Sequence, residues 1–293
     1  MHTHRVAEAR YTVNRLTLLR RRHGFPESVD AGLPERPRNM TQTTEIARHQ
    51  VTRVRHETRR RTLTIATIEP LGAHMRRIGF TAPELHDFVS SAFDDHIKLF
   101  FPDNAGGSVM RDFTPRRFDN AANTLTVDFA LHDSGPATQW AAAAKVGDTI
   151  EIGGPRGSSV VPDDYDWYLL IGDESALPAI GRRVEELRAG IPVVTLAVVD
   201  GADDEQTFPT KAAWTGHWIH RDGDTDTDLL LDALKDLALP EGEGFVWIAA
   251  ETSVAKALRA YVLDTLSHPR EWTKAAGYWT KGLADAADKS LDG

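Results

Sequence analysis

The chain of 293 residues contains no cysteine, which excludes disulfides, a thiolate nucleophile and any cysteine-held iron–sulfur cluster. If electrons move through this protein, an organic group has to carry them. There is no run of ~18 consecutive apolar residues, so no membrane-spanning helix is expected. Cations are in deficit: 34 Lys and Arg stand against 43 Asp and Glu, a formal net charge of −9. A general nucleic-acid binder needs a basic face to displace counterions, and this balance argues against one. Arg20-Arg21-Arg22 has the start of a twin-arginine signal, but His23-Gly24-Phe25-Pro26-Glu27 follows where an apolar stretch belongs. The expectation is a cytoplasmic monomer with no nucleic-acid or membrane partner. The 12 histidines form no His-x-x-x-His pair beside carboxylates. His217 and His220 lie three apart in a segment that reads as loop and strand, so no protein-held metal is expected.

What is present falls into three stretches. Residues 1–45 hold eight Arg and five acidic residues, and Pro26, Pro34 and Pro37 with Gly24 and Gly32 interrupt them; a poorly ordered extension is expected. Residues 46–162 alternate with period two in Thr62-Leu-Thr-Ile-Ala-Thr-Ile68 and again from Thr124 to Leu131. Turn-forming clusters at Asp103, Asp119 and Lys145 separate the strands. A small antiparallel barrel fits this rhythm. Residues 163–293 instead run strand, loop, helix, with strands at 167–172, 193–199 and 244–249 and helices at 179–187, 229–237 and 253–266. Such alternation predicts a parallel α/β domain whose ligands bind beyond the carboxyl ends of its strands, in a crevice facing the barrel. Asp200, Asp203, Asp204, Glu205, Asp222, Asp224, Asp226 and Asp228 are expected in solvated turns.

Three short motifs carry the chemistry. In Arg111-Asp112-Phe113-Thr114 the guanidinium offers a fork of donors to a phosphate, while a ring two residues on lies on the same strand face and can cover a flat ring system. The Thr114 hydroxyl can reach a ring heteroatom. Gly135-Pro136-Ala137-Thr138 opens the apolar run at Trp140 and reads as a helix N-terminus, a natural seat for pyrophosphate. Gly172-Asp173-Glu174-Ser175 is the candidate nicotinamide-dinucleotide loop. It lacks Gly-x-Gly-x-x-Gly, and its two carboxylates favour the helix dipole but repel a pyrophosphate.

With these motifs in this order, the chain resembles the siderophore-interacting proteins, the ferric-siderophore reductase branch of the ferredoxin-NADP reductase superfamily. The resemblance runs from about Arg61 to Gly282. It is carried by His74-Met-Arg-Arg-Ile78, which looks like the first barrel strand, by Phe93-Asp-Asp-His-Ile-Lys98-Leu-Phe-Phe-Pro102, which looks like the second, by Gly154-Pro-Arg-Gly-Ser158, Gly172-Asp-Glu-Ser-Ala-Leu-Pro178 and Trp247-Ile-Ala-Ala-Glu251, and by Gly277-Tyr-Trp-Thr-Lys281-Gly282. It departs from the family at Phe113, where Tyr is usual, and at Ala250, where Gly often precedes Glu251.

The resemblance implies a flavin-binding antiparallel β-barrel at 46–162 followed by a parallel-sheet nucleotide-binding domain at 163–293 that ends in a siderophore-interacting segment. It implies FAD as cofactor, NADPH or NADH as donor, a ferredoxin as donor in some members, and a ferric siderophore as partner. Arg111 then serves the FAD phosphates, Phe113 and Thr114 its ring, and Gly135 to Thr138 its pyrophosphate, with Asp128 a further cofactor-binding residue. His132 either contacts the adenosine half or caps its turn. Gly172, Asp173, Glu174, Ser175 and Glu251 fall to the donor, and Lys98, Lys281 and Arg221 to an anionic substrate. Catalysis is centred on the flavin, with no side chain as acid, base or nucleophile. Two other readings stay open: a general NAD(P)H:flavin or quinone reductase, and a siderophore- or flavin-binding protein with little turnover.

Overall fold

The computed structural model describes residues 48–103, 106–131, 135–283, 288 and 291; the expectation for residues 1–45 lies outside them. In chain order the first strands are β1 (Thr52–Arg55), β2 (Arg60–Pro70), β3 (Met75–Thr81), β4 (Ile97–Pro102), β5 (Ser108–Phe113), β6 (Arg117–Asp119) and β7 (Thr124–Ala130). Helix α1 (Pro136–Ala143), β8 (Thr149–Gly153) and β9 (Gly157–Val160) follow. The rest is β10 (Trp167–Gly172), α2 (Leu177–Glu186), β11 (Pro192–Val199), β12 (Ala213–His220), α3 (Asp226–Asp236), β13 (Gly244–Glu251), α4 (Thr252–Ala260) and β14 (Thr273–Trp279).

Seven strands make an antiparallel sheet in the order β5-β4-β8-β2-β3-β7-β6, and β1 pairs separately with β9. Along β2 the alternation read from the sequence puts Leu63 and Ile65 inside and leaves Thr62 outside, because successive strand residues face opposite sides. These two pack with Ile78, Phe80, Leu99, Phe101, Val127 and Phe129 into one apolar core. The remaining five strands form a parallel sheet, β12-β11-β10-β13-β14. Its central strands β10 and β13 are buried throughout, as parallel strands covered on both faces must be. Tyr168 and Leu170 serve the core on one face, Leu169 and Ile171 the core on the other. The expected ferredoxin reductase-like plan, antiparallel barrel sheet followed by parallel α/β sheet, is therefore present.

Some expectations are corrected. The strand expected at His74 begins at Met75, and β2 precedes it, so it is not the first of the sheet. Phe93 to His96 lie outside β4. The last helix does not continue as α-helix to 266: after Ala260 it widens into a π turn at Tyr261–Thr265, where Leu266 N bonds to Tyr261 O at 3.0 Å. Asp204 is not in a solvated turn but is 1% exposed. It accepts the backbone N–H groups of Ala73 and His74 and meets His74 Nδ1 at 2.7 Å. Those donors lie 130 residues away, beyond the reach of a local charge pattern.

Two buried arginines join the sheets. Arg182 on α2 donates to Ser90 Oγ at 2.7 Å, to Ser90 O at 2.8 Å and to Glu186 at 2.6 Å. Arg116, just past β5, is 3% exposed and grips Glu185 of α2 at 2.6 and 3.0 Å. Removing one partner of such a buried pair typically costs ~3–5 kcal/mol. Ahead of β1, His49 stacks on Tyr165 with centroids 3.9 Å apart. Its ring nitrogens meet Asp164 at 2.8 Å and Glu243 at 2.9 Å, tying the start of the described chain to the parallel sheet.

Candidate functional site

Between the two sheets lies a cavity of about 260 Å³. The end of β5 supplies Phe113 and Thr114, β7 supplies Asp128, the loop after β10 supplies Glu174 and Ser175, and β14 supplies Lys274 and Tyr278. The parallel strand order reverses between β10 and β13, so this is the switch point where open α/β sheets receive ligands. Among the candidate residues the cavity thus gathers Phe113, Thr114, Asp128, Glu174 and Ser175. Arg111, Gly135 to Thr138, Gly172, Asp173, Glu251, Lys98, Lys281 and Arg221 stand outside its lining, and His132 lies outside the described residues.

The barrel side offers an apolar wall with a polar edge. Phe113 packs at 4.6 Å from Phe129 and 5.8 Å from Phe101, which fixes its ring plane. Thr114, buried, hydrogen-bonds the Tyr278 hydroxyl. Burial, and then the nearby Asp94, push the Tyr278 hydroxyl well above its ordinary value, so it stays protonated and able to donate. Asp128 is held by Arg77 through two bonds of 2.7 Å; its carboxylate orients that arginine. Arg111 lies one turn of the pleat from Phe113 and donates to Met110 O at 2.7 Å. The N-cap of α1 is Gly135, with Pro136 following and no side chain capping the first turn. Among the described residues, nothing lies within 4 Å of a Cβ built at Gly135.

On the other side the acidic loop is already satisfied. Asp173, 1% exposed, accepts from Ser175 N at 2.9 Å, Glu251 N at 2.9 Å and Trp279 Nε1 at 2.8 Å. Its charge therefore staples the ends of β10, β13 and β14 together. Gly172 sits where a Cβ would lie 2.4 Å from Ala249 O, so only glycine lets β10 end this close to β13. Glu174 is gripped by both terminal nitrogens of Arg221. Arg221 also meets Asp200 at 2.7 Å and Asp226 at 2.8 Å; Asp200 is exposed in a bend, as expected, whereas Asp226 lies in the first turn of α3 rather than in a loop. Burial alone would lower the arginine's pKa, but its three carboxylates raise it above the ordinary value. Glu251 caps α4, accepting from Ser253 N at 2.6 Å and Val254 N at 3.3 Å. Burial pushes its carboxyl up, yet these bonds, with one from Lys281 N, outweigh it and hold the group below its usual value.

The candidate substrate cations also have settled surroundings. Lys98 pairs with Asp112 at 2.8 Å, and the Lys281 side chain is exposed beyond β14. Sequence reasoning missed Asp94, Asp95, Lys274 and Tyr278. Lys274 meets Asp94 at 2.5 Å and Trp247 Nε1 donates to the same carboxylate at 3.0 Å. The Asp94-Asp95 string was visible, but nothing local names a tryptophan 153 residues on as its partner. Among the described residues no group of three or more His, Asp or Glu side chains is placed to hold a metal ion, and no helix is long and apolar enough to cross a membrane.

Comparisons with known proteins agree with one another. A family model for the siderophore-interacting protein matches residues 165–282, and one for the siderophore-interacting FAD-binding domain matches 64–109 and 103–159. An NADPH-dependent ferric-chelate reductase of Escherichia coli is 33% identical over 250 residues, spanning 78% of this chain and 95% of its own. A ferric vibriobactin reductase of Vibrio cholerae is 26% identical over 235 residues, 73% of this chain and 87% of its own. The crystal structure of a siderophore utilization protein from T. fusca superposes with a TM-score of 0.76 at 32% identity, covering 82% of this chain and 99% of its own.

Proposed function

The chain belongs to the siderophore-interacting protein family and is an FAD-dependent oxidoreductase; from that premise we propose that it reduces ferric siderophores at the expense of NADPH. The observation that carries this reading is the meeting of Phe113, Thr114 and Tyr278 in one cavity at the switch point of the parallel sheet. FAD fits these residues: an apolar ring wall, two hydroxyls at its edge and an arginine on the same strand. When bound, FAD supplies the exchange between a two-electron donor and one-electron Fe(III) that no side chain here offers.

The protein's own work is binding, orientation and electrostatics. Phe113 covers the flat face, Thr114 and Tyr278 address the polar edge, and Arg111 with the first turn of α1 receives the phosphates. Asp128 lines the cavity and is held there by Arg77. The donor approaches over Ser175 and α2, where Asp173 and Glu174 are already bonded within the protein and do not present bare charge. NADPH is favoured as donor because the E. coli relative is named NADPH-dependent. Chelated Fe(III) is the substrate; after reduction the lower-charge Fe(II) leaves oxygen ligands more readily. The cytoplasm, which holds the nicotinamide pool, is the proposed compartment.

The test is direct. Purified protein should carry flavin, lose its colour anaerobically on adding NADPH, and regain it with a ferric siderophore while ferrozine traps Fe(II). Colour loss without Fe(II) would leave a flavin reductase and sink the siderophore assignment. Colourless protein that takes up no FAD would sink the whole reading.

A further inference from the structure

A chain of hydrogen bonds leads out of the cavity on the barrel side. Asp95, 4% exposed, lines the cavity. Its Oδ2 accepts from Ser90 Oγ at 2.9 Å, Ala92 N at 3.0 Å and Ser158 Oγ at 2.6 Å. All three bonds end on one oxygen, which leaves Oδ1 for the cavity. Ser158, itself 5% exposed, lies 2.7 Å from His56 Nε2. His56 is half-buried at the other end of this chain. We infer that Asp95, Ser158 and His56 form a proton path between solvent and the cavity.

The directions of the bonds follow from the donor inventory. A carboxylate only accepts, so the single Ser158 hydroxyl proton points to Asp95. The serine oxygen must then accept, from Ser91 N at 3.1 Å and from His56, which fixes the histidine proton on Nε2. A proton gained from solvent at Nδ1 lets the Nε2 proton move to Ser158 Oγ and the Oγ proton move to Asp95 Oδ2; rotation of the neutral carboxyl then presents that proton to the cavity, and no electron is transferred. Strand packing places the links. β1 and β9 run side by side with Arg55 opposite Gly157, and a Cβ on Gly157 would lie 2.5 Å from Val54 O. Glycine there permits the close approach that sets His56 beside Ser158. The path has a use under the proposed function, on which it rests: hydride transfer alone gives the anionic reduced flavin, and completing the neutral two-electron reduced form, FAD + NADPH + H⁺ → FADH2 + NADP⁺, consumes one proton that has to come from the medium. Neither His56 nor Asp95 needs to touch the reacting atoms more closely than through the cavity, so they are positioning and relay residues.

The test uses the FAD-loaded protein and, separately, the flavin-free protein. Anaerobic stopped-flow mixing with NADPH in H₂O and D₂O should give a solvent isotope effect in the wild type. His56→Ala should slow flavin bleaching by roughly tenfold to a hundredfold, within the usual range for proton-transfer groups, and added imidazole should restore much of the rate. In the flavin-free protein, ¹⁵N NMR should find His56 as the Nε2–H tautomer, and Ser158→Ala should abolish that preference. Normal FAD content with an unchanged rate and isotope effect in His56→Ala overturns the relay while leaving the reductase reading intact. An Nδ1–H tautomer in the wild type also overturns it. Absence of FAD binding, or FAD that NADPH and NADH both fail to bleach, overturns the reductase reading and the relay with it.

Discussion

Phe113 stands where the family usually carries tyrosine, and its ring is already fixed by Phe129 and Phe101. Phe113→Tyr should bind FAD equally or more tightly, by up to about 1 kcal/mol for one added hydrogen bond, measured by flavin fluorescence titration. Weaker binding would place the ring's far end in a dry core. Lys98 and Asp112 make a matched test of charge. Lys98→Ala removes the positive member of the pair, so the KM for an anionic ferric siderophore should rise by a few-fold at low salt, an effect that shrinks as salt screens the site. Asp112→Asn should shift KM the other way. Equal effects from both variants would show that the pair acts by packing and not by charge.

The strands and helices themselves were largely legible. Period-two alternation in β2 and β7 and the apolar runs of β10, β11 and β13 follow from which faces are covered. Of the strand-end motif, Phe113 and Thr114 line the cavity, while Arg111 on the same strand stands outside its lining. The parts that were not legible depend on distant partners. The roles of Asp173, Glu174 and Glu251 follow from bonds to Trp279, Arg221 and the start of α4, and no local pattern separates a helix cap from a donor ligand. Glu251→Ala separates them by experiment. Loss of an N-cap costs about 1 kcal/mol, which in a domain of this size lowers Tm by roughly 2–4 °C, with KM for NADPH little changed. A large rise in KM at unchanged Tm would restore the donor role.

At the scale of the molecule, pH should act through the clasp of His74 on Asp204. Hydrogen bonding to Asp204 raises the histidine above its ordinary 6.5. Burial pushes Asp204 up, but its bonds from His74 and Ala73 outweigh that and hold it below its ordinary 3.8. A raised histidine stabilises fully below its unfolded value and loses that contribution as pH rises through the folded one; a lowered aspartate does so above its unfolded value and loses it as pH falls. The clasp is therefore complete between about pH 4 and 6.5 and weakens above that. His74→Asn keeps the backbone bonds, so the gap in Tm between wild type and variant should narrow from about pH 6 to pH 9; a constant gap would rule out the titration. The arginine of α2 and the one just past β5 have a different consequence. With Arg182 seated on Ser90 and Arg116 on Glu185, a jaw-like closure of the two sheets over a bound ligand would have to break buried charged hydrogen bonds. Under the proposed function, water is then excluded by what fills the crevice, so a bulky ferric chelate should protect the reduced flavin from dioxygen better than a small one.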